Sequence, residues 1–259
     1  MKKIYLIACI IVALLFSNNT NAQQLKVLNQ SKSSLSLELT IDNYNIKEII
    51  DGDEVFHEIA LSSIMIPNDK GKPNLPSVNR FIALPQGAKA NVVVESYEKE
   101  ILKNINIAPS RGIVSEYDTT NLAFIKDSDI YSKDELFPAN IVSITENINM
   151  RGVETVGLNI SPVQYNPVTK ELVVYTEIEL SIEYEGGDSK FGDDRLRSMY
   201  WDPILQHNIL NYNNISKIDY AKRMERWITD DAEGAEYLII IPDNESFREQ
   251  AQRLADYRS

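Results

Sequence analysis

Apolar and polar residues alternate over much of the chain before residue 185. Between residues 35 and 41 every second position is Leu or Ile, and the positions between them are Ser, Glu and Thr. Successive side chains of a strand point to opposite faces, so this pattern predicts a strand with one buried face. Comparable stretches rich in Val, Ile, Thr and Tyr are residues 92–97, 122–125, 141–148, 153–160 and 172–184. Pro and Gly cluster between them, which predicts a mainly β fold, a β-sandwich or barrel-like domain, over residues 23–187.

The pattern changes after the Gly-Gly pair that ends this domain. Residues 188–234 are charged and aromatic and have no strand period, so we interpret them as a linker with a processing region. Residues 237–241 are a continuous apolar run, typical of a strand covered on both faces in a parallel sheet. Apolar residues then recur at helical spacing from Phe247. We therefore predict that residues 235–259 are the first strand and helix of an α/β domain. Because one such unit cannot bury both faces of its strand, we expect this domain to be truncated here.

The amino terminus has the three parts of a secretory signal. Two lysines precede an apolar run over residues 4–16, and a polar stretch ends in Ala22. The run has 13 residues, whereas a membrane span needs roughly 20, so we expect no permanent membrane span. Cleavage between Ala22 and Gln23 would also remove Cys9 and take the formal charge from −12 to −14. The product is then expected to be secreted, extracellular or held at the cell surface.

Composition excludes several classes of function. The chain has 26 Lys and Arg against 38 Asp and Glu, and no segment is basic enough to attract phosphates, so we expect no nucleic acid partner. One Cys and two His are the whole supply of thiolate and imidazole, which excludes a disulfide framework and a cysteine-rich zinc site. Hydrophobic residues make up 43% of the chain, enough for a folded core.

No catalytic or metal site can be assembled from these residues. A Ser/His/Asp triad could use His57 or His207, but the Gly-x-Ser-x-Gly motif is absent. We interpret His57 as a strand-surface group and His207 as a surface group of a loop or helix. The acidic run from Asp51 to Glu54 suggests calcium, but it lacks the 12-residue loop with its closing Glu, so a solvated turn is the better interpretation.

A basic patch at Arg223 and Arg226 is the main candidate for proteolytic processing. It lies in a segment without a strand pattern, where a protease could bind an extended backbone. The alternative is a helix, because apolar residues at positions 218, 221, 224 and 228 fall near helical spacing. Both interpretations remain open from the sequence. Arg195 and Arg197 form a weaker second candidate.

A series of short motifs resembles the propeptide of gingipain-type cysteine peptidases. The similarity covers roughly residues 25–185, and residues 237–258 are similar to the first strand and helix of the family's caspase-like catalytic domain. Each motif alone is weak, but their order and spacing over most of the chain are specific. The motifs are residues 71–76 (GKPNLP), 84–88 (LPQGA), 107–109 (IAP), 137–139 (FPA), 150–153 (MRGV), 161–168 (SPVQYNPV) and 171–172 (EL).

The resemblance implies a secreted cysteine endopeptidase made as a zymogen, whose β domain acts as chaperone and inhibitor. The implied partners are the chain's own downstream catalytic domain and the secretion machinery. The family's catalytic Cys and His lie downstream of these residues, so this stretch is expected to be inactive alone. We expect no cofactor here, and a calcium ion would belong to the catalytic domain.

The resemblance also implies an inhibitory loop that places a basic residue in the substrate cleft. Arg151, followed by Gly152 between two predicted strands, is one candidate. Arg111, ahead of Gly112, is the other. A guanidinium facing a carboxylate is a geometrically exacting anchor. The alternative for Arg151 and Gly152 is ordinary hairpin chemistry.

Two rival functions remain open from the sequence. One is a secreted surface adhesion or carbohydrate-binding β module without a protease, since the 13 Tyr could stack on sugars. The other is a degenerate member of the peptidase family that lacks the catalytic pair.

Overall fold

The computed structural model describes residues 23–61, 64, 66–112, 123–229 and 238–258. They divide into two units, the first ending at Lys217 and the second beginning at Ile218. The described strands, all in the first unit, are β1 (Gln23–Gln30), β2 (Ser34–Ile41), β3 (Tyr44–Asp51), β4 (Glu54–Leu61), β5 (Val78–Ala83), β6 (Ala88–Leu102), β7 (Val142–Ile144), β8 (Ile148–Met150), β9 (Val153–Ile160), β10 (Val163–Asn166) and β11 (Glu171–Gly186). The first unit also contains helices α1 (Ser128–Tyr131) and α2 (Asp202–Asn208), and two 3-10 turns, Asp194–Leu196 and Tyr212–Asn214.

The first sheet is organised around β11, its longest strand. One edge of β11 pairs with β6 over nearly its whole length. The other edge pairs with β10 near its start and with β2 further along, and β1 pairs with the far edge of β2. All of these pairings are antiparallel.

The second sheet is organised around β9. It pairs with β5 on one edge, and with β7 and β8 at different points of the other. Strands β3 and β4 form a separate hairpin. The stretch predicted as one strand, residues 141–148, is therefore two short strands, because each pairs with a different part of β9. The strand predicted at residues 122–125 is not formed at residues 123–125, and residue 122 lies outside the described residues.

The buried faces of both sheets contribute to one apolar core. Leu35, Leu37 and Leu39 of β2 are fully buried, as their alternation with polar residues predicts. Leu158 and Ile160 of β9 belong to the same cluster. The two open sheets thus enclose a shared core, and the prediction of a mainly β fold is confirmed.

The first unit extends well beyond the predicted boundary at residue 187. Residues 188–217 pack against the β domain instead of forming a linker, and their apolar anchors Phe191, Leu205, Ile209 and Ile215 are buried. The anchors are isolated in a charged sequence, so they gave no periodic signal. The predicted linker of residues 188–234 therefore has to be shortened at its amino-terminal end.

Asn211 ties this segment to the edge of the second sheet. Its Oδ1 accepts a hydrogen bond from the backbone N–H of Ala83 at 2.7 Å, and its Nδ2 donates to the Ala83 carbonyl at 2.9 Å. The same Nδ2 donates to the Tyr184 hydroxyl at 3.1 Å, and burial raises the pKa of that hydroxyl. The fully buried amide of Asn211 thus satisfies both backbone groups of Ala83 at the edge of the sheet, as a neighbouring strand would.

Arg197 fixes the fold of residues 193–216 from within. Its side chain is fully buried, and its guanidinium binds the Asp202 carboxylate through two hydrogen bonds, Nε–Oδ1 at 3.1 Å and Nη2–Oδ2 at 2.7 Å. It also donates to the carbonyl of Ser216 and to the Tyr212 hydroxyl. A bidentate, charge-assisted pair of this kind holds its elements in one geometry. Arg197 is therefore a structural residue, and in the folded chain its buried side chain is not accessible to a protease.

The described residues of the second unit form the helices α3 (Tyr220–Thr229) and α4 (Glu245–Arg258). The predicted terminal helix is thus present. The predicted strand is not formed at residues 238–241, and Leu238 and Ile240 are exposed. A strand exists through hydrogen bonds to a neighbour, and none pairs with residues 238–241 among those described.

Replacing Arg197 by Met is expected to lower the free energy of unfolding by about 3–5 kcal/mol, because Asp202 would be left buried without its partner. The matched control is Arg195→Met, since the Arg195 side chain is 88% exposed and its ion pair with Asp193 lies in solvent. Urea unfolding followed by circular dichroism measures both variants. An Arg197→Met variant as stable as Arg195→Met would contradict the structural role of Arg197.

Candidate functional site

Arg151 lies at the tip of the hairpin between β8 and β9. It has φ +52° and Gly152 has φ +84°, as a two-residue type I′ turn requires. A Cβ on Gly152 would lie 2.8 Å from the carbonyl oxygen of Asp193 and from the Cβ of Leu196, so only Gly fits. The Gly152 carbonyl also accepts from the Asp193 N–H at 2.6 Å. The tip is therefore pressed against the segment that follows residue 188.

The Arg151 guanidinium lies over the indole ring of Trp201, 4.2 Å from the ring centroid. This is the geometry of a cation–π contact. A protease cleft binds an extended backbone, and a residue in the left-handed region cannot present one. The hairpin interpretation thus describes the turn, and the conformation of Arg151 does not suit a substrate-like contact.

Arg111 has a different setting. It lies in irregular backbone ahead of Gly112, with its guanidinium carbon 4.0 Å above the ring centroid of Phe124. Phe124 in turn packs on Phe56 of β4, with centroids 5.0 Å apart. The Nε of Arg111 is buried and has no hydrogen-bond partner among the described residues. Buried donors without an acceptor are uncommon in folded proteins.

Backbone hydrogen bonds fix the position of Ser110, the residue before Arg111. The N–H of Gly71 donates to the carbonyl of Ser110, and the N–H of Ser110 donates to the carbonyl of Lys72, both at 2.8 Å. The N–H of Asp127 donates to the Gly71 carbonyl at 2.9 Å. Residues 110 and 127 are thus held on the same short segment.

The acidic turn from Asp51 to Glu54 contacts residues 124 and 126, which lie close to Arg111 through Phe124. Residues 52–53 form the turn between β3 and β4, as predicted. The Asp51 carboxylate accepts from the backbone N–H of Phe124 at 2.8 Å, and Glu54 pairs with Lys126. The hydrogen bond from Lys126 lowers the pKa of Glu54. These carboxylates therefore position residues 123–126.

The two histidines lie in different environments, and their positions do not suggest catalysis. His57 is in β4, as predicted, but its side chain is only 15% exposed and its Nδ1 accepts from the backbone N–H of Asn106 at 3.1 Å. It is thus a bonded, largely buried group instead of a strand-surface one. His207 is exposed on α2, as predicted.

The candidate processing residues lie on a helix. The backbone of Arg223 and Arg226 is within α3, so the helical alternative describes their conformation. A protease would have to unwind this turn before cutting. At the predicted signal cleavage site, Ala22 lies outside the described residues and Gln23 begins β1, where it pairs with Ile41.

An exposed apolar surface that the sequence pattern did not predict lies beside Arg151, and we call it the Trp201 patch. Residues 199–201 lie in the predicted linker, and their Met-Tyr-Trp run is the signal that could have revealed the patch. Its side chains belong to the end of the first 3-10 turn, to the turn that follows it and to the start of α2. The members and their exposed fractions are Leu196 (60%), Met199 (47%), Tyr200 (79%), Trp201 (38%) and Ile204 (47%).

The described residues show neither a membrane-spanning helix nor a metal centre. None of the helices in the described ranges has the length and apolar character that crossing a bilayer needs. Within the same ranges, no three or more His, Cys, Asp or Glu side chains are grouped to hold a metal ion.

Comparison with known proteins gives a consistent match over the first unit. The family model Propeptide_C25 matches residues 17–219. Gingipain R2 of Porphyromonas gingivalis is 28% identical over 159 residues, which are 61% of this chain and 22% of that protein. Lys-gingipain of the same organism is 25% identical over 157 residues, 58% of this chain and 9% of that protein. The chain thus spans about a fifth or less of the length of these relatives.

Two solved structures are similar to this fold. A chain in the complex of the Porphyromonas gingivalis RgpB pro- and mature domains matches with a TM-score of 0.65 and 25% identity, over 73% of this chain and 97% of that one. A structure on the zymogenic latency of gingipain K from Porphyromonas gingivalis matches with a TM-score of 0.54 and 20% identity, over 64% and 95%. The second similarity is evidence for the fold alone.

Proposed function

The chain belongs to the Propeptide_C25 family, and we propose on this basis that its first unit is the chaperone and inhibitor of a secreted, gingipain-like cysteine endopeptidase. The observation that carries the proposal is the similarity of this unit to a chain of a solved complex between a pro-domain and its mature domain. The rival interpretation as an adhesion or carbohydrate-binding module has no support from these relatives.

Inhibition is proposed to work by occlusion of the substrate cleft. Such a block needs an extended backbone that carries a side chain suited to the cleft. Arg111 fits this need better than Arg151, because it is outside the positive-φ region and its buried Nε lacks an acceptor among the described residues. A carboxylate in the cleft would supply that acceptor and pair with the charge.

The first unit is also proposed to assist the folding of the catalytic domain. A domain that is already folded and binds only the native form of its partner stabilises that form by mass action. The β domain has a complete core of its own, with its apolar strands buried within the first unit. It is thus suited to act as a template for the catalytic domain, as well as its inhibitor.

Export and processing complete the proposal. The signal at residues 1–22 directs the precursor to the secretion machinery, and cleavage after Ala22 leaves β1 at the new amino terminus. The release step is cleavage at Arg223 or Arg226 in α3, outside the first unit. Residues 188–217 then leave with the β domain.

The purified chain from Gln23 onward is expected to inhibit, in trans, the mature cysteine peptidase of the same precursor. Replacing Arg111 by Ala should raise the inhibition constant by about 30-fold or more, because an ion pair in the closed cleft would be lost. The control is Arg80→Ala, an exposed arginine that donates a hydrogen bond to the neighbouring Asn79 carbonyl. Absence of inhibition by the unsubstituted chain at high concentration would overturn the proposed function, and equal inhibition by the two variants would overturn the role of Arg111.

Replacing both Arg223 and Arg226 by Gln is expected to block maturation, because the bonds that follow them would no longer be recognised. Lys222→Gln is the matched control, a neighbouring cation in the same helix. Amino-terminal sequencing of the secreted product identifies the bond cut. Unchanged processing of the double variant would show that release occurs elsewhere.

A further inference from the structure

The Trp201 patch is an unusual surface for a solvated β domain. Five large apolar side chains within nine residues of sequence are between 38% and 79% exposed. Together they expose apolar area on the order of several hundred Å², a size that marks interaction sites on soluble proteins. Trp, Tyr, Met and Arg are the residues enriched in the binding centres of protein interfaces.

The patch is rigid before any partner binds. Trp201 and Asp202 are held by backbone hydrogen bonds to the Ser198 carbonyl, at 3.1 and 3.0 Å. The buried guanidinium of Arg197 forms an ion pair with the Asp202 carboxylate. On the other side, Gly152 closes against Leu196 and brings Arg151 over Trp201. A preformed surface loses little conformational entropy on binding, which favours affinity.

The charges around the patch indicate the chemistry of its partner. The neighbouring carboxylates of Asp193, Asp194 and Asp202 are all engaged by Arg195 or Arg197. Arg151 has no salt bridge within the described ranges and remains an exposed cation beside Trp201. The surface therefore suits an apolar partner that also carries a carboxylate. A symmetric contact between two copies would use the same surface on both, and the carboxylates of that surface are already paired with Arg195 or Arg197 instead of being left for Arg151.

We propose that the Trp201 patch, together with Arg151, is a docking surface for the mature cysteine-peptidase domain. The inference rests on the proposed function, since that function supplies the partner. The patch lies on the last segment of the first unit, close in sequence to the second unit. A domain that follows in the same chain is tethered near it, so a modest apolar contact suffices for binding at high effective concentration.

The test is the dissociation constant between the full chain from Gln23 and the mature peptidase, measured by biolayer interferometry. Tyr200→Ser should raise it by at least about tenfold, because exposed aromatic residues at an interface centre carry much of the affinity. Tyr257→Ser is the matched control, since Tyr257 is 84% exposed on α4 and Tyr200 is 79% exposed. Ile204→Ser is a second patch variant, with Val168→Ser, 51% exposed in a turn, as its control.

The outcomes separate this inference from the proposed function. Weaker binding by both patch variants, with unchanged melting temperatures and unchanged controls, supports the docking surface. Equal binding by all variants, while the unsubstituted chain still binds, overturns the docking surface and leaves the proposed function intact. If the unsubstituted chain does not bind, the proposed function itself fails. A dimer that Tyr200→Ser converts to a monomer in light scattering would assign the patch to a second copy and overturn this partner.

Discussion

The domain depends on one long strand that is paired along both of its edges. β11 pairs with β6 on one side and with both β10 and β2 on the other. Three of the four antiparallel strand pairs of the first sheet therefore include β11, and the fourth is the pair of β1 with β2. Its inward side chains run from Leu172 to Tyr184 in the core. At the end of the strand, the Tyr184 hydroxyl accepts from Asn211, which also completes the edge of β5. The same strand thus connects the first sheet, the second sheet and the segment that follows.

The functional features are built on the parts that this framework holds still. Arg111 rises from a base fixed by the backbone of Gly71 and by the hairpin of β3 and β4. The backbone of the Trp201 patch is held by the pairing of Arg197 with Asp202, and Leu196 of the patch packs against Gly152 of the β8–β9 hairpin. Binding residues on rigid supports lose little conformational entropy when a partner docks. We infer that the β domain can present both features before the peptidase has folded.

Much of the sheet structure could be predicted from local pattern, because its information is local. The alternation at residues 35–41 and 153–160 corresponds to β2 and β9, and the final helix appears where its apolar spacing predicted it. Residues 188–217 could not be assigned in this way. Their anchors are single residues such as Leu205 and Ile209, and the buried pairing of Arg197 with Asp202 is a property of the folded chain. The choice between Arg111 and Arg151 likewise depends on φ angles and ring contacts that one sequence does not reveal.

The Trp201 patch is rigid only if residues 188–217 are part of the folded first unit. Hydrogen–deuterium exchange of the free chain tests this most directly. The backbone amides of Leu205, Ile209 and Ile215 are hydrogen-bonded, and we expect them to exchange as slowly as the amides of β2 and β11. Exchange of these three amides at the rate of an unstructured chain, while β2 and β11 stay protected, would contradict the account.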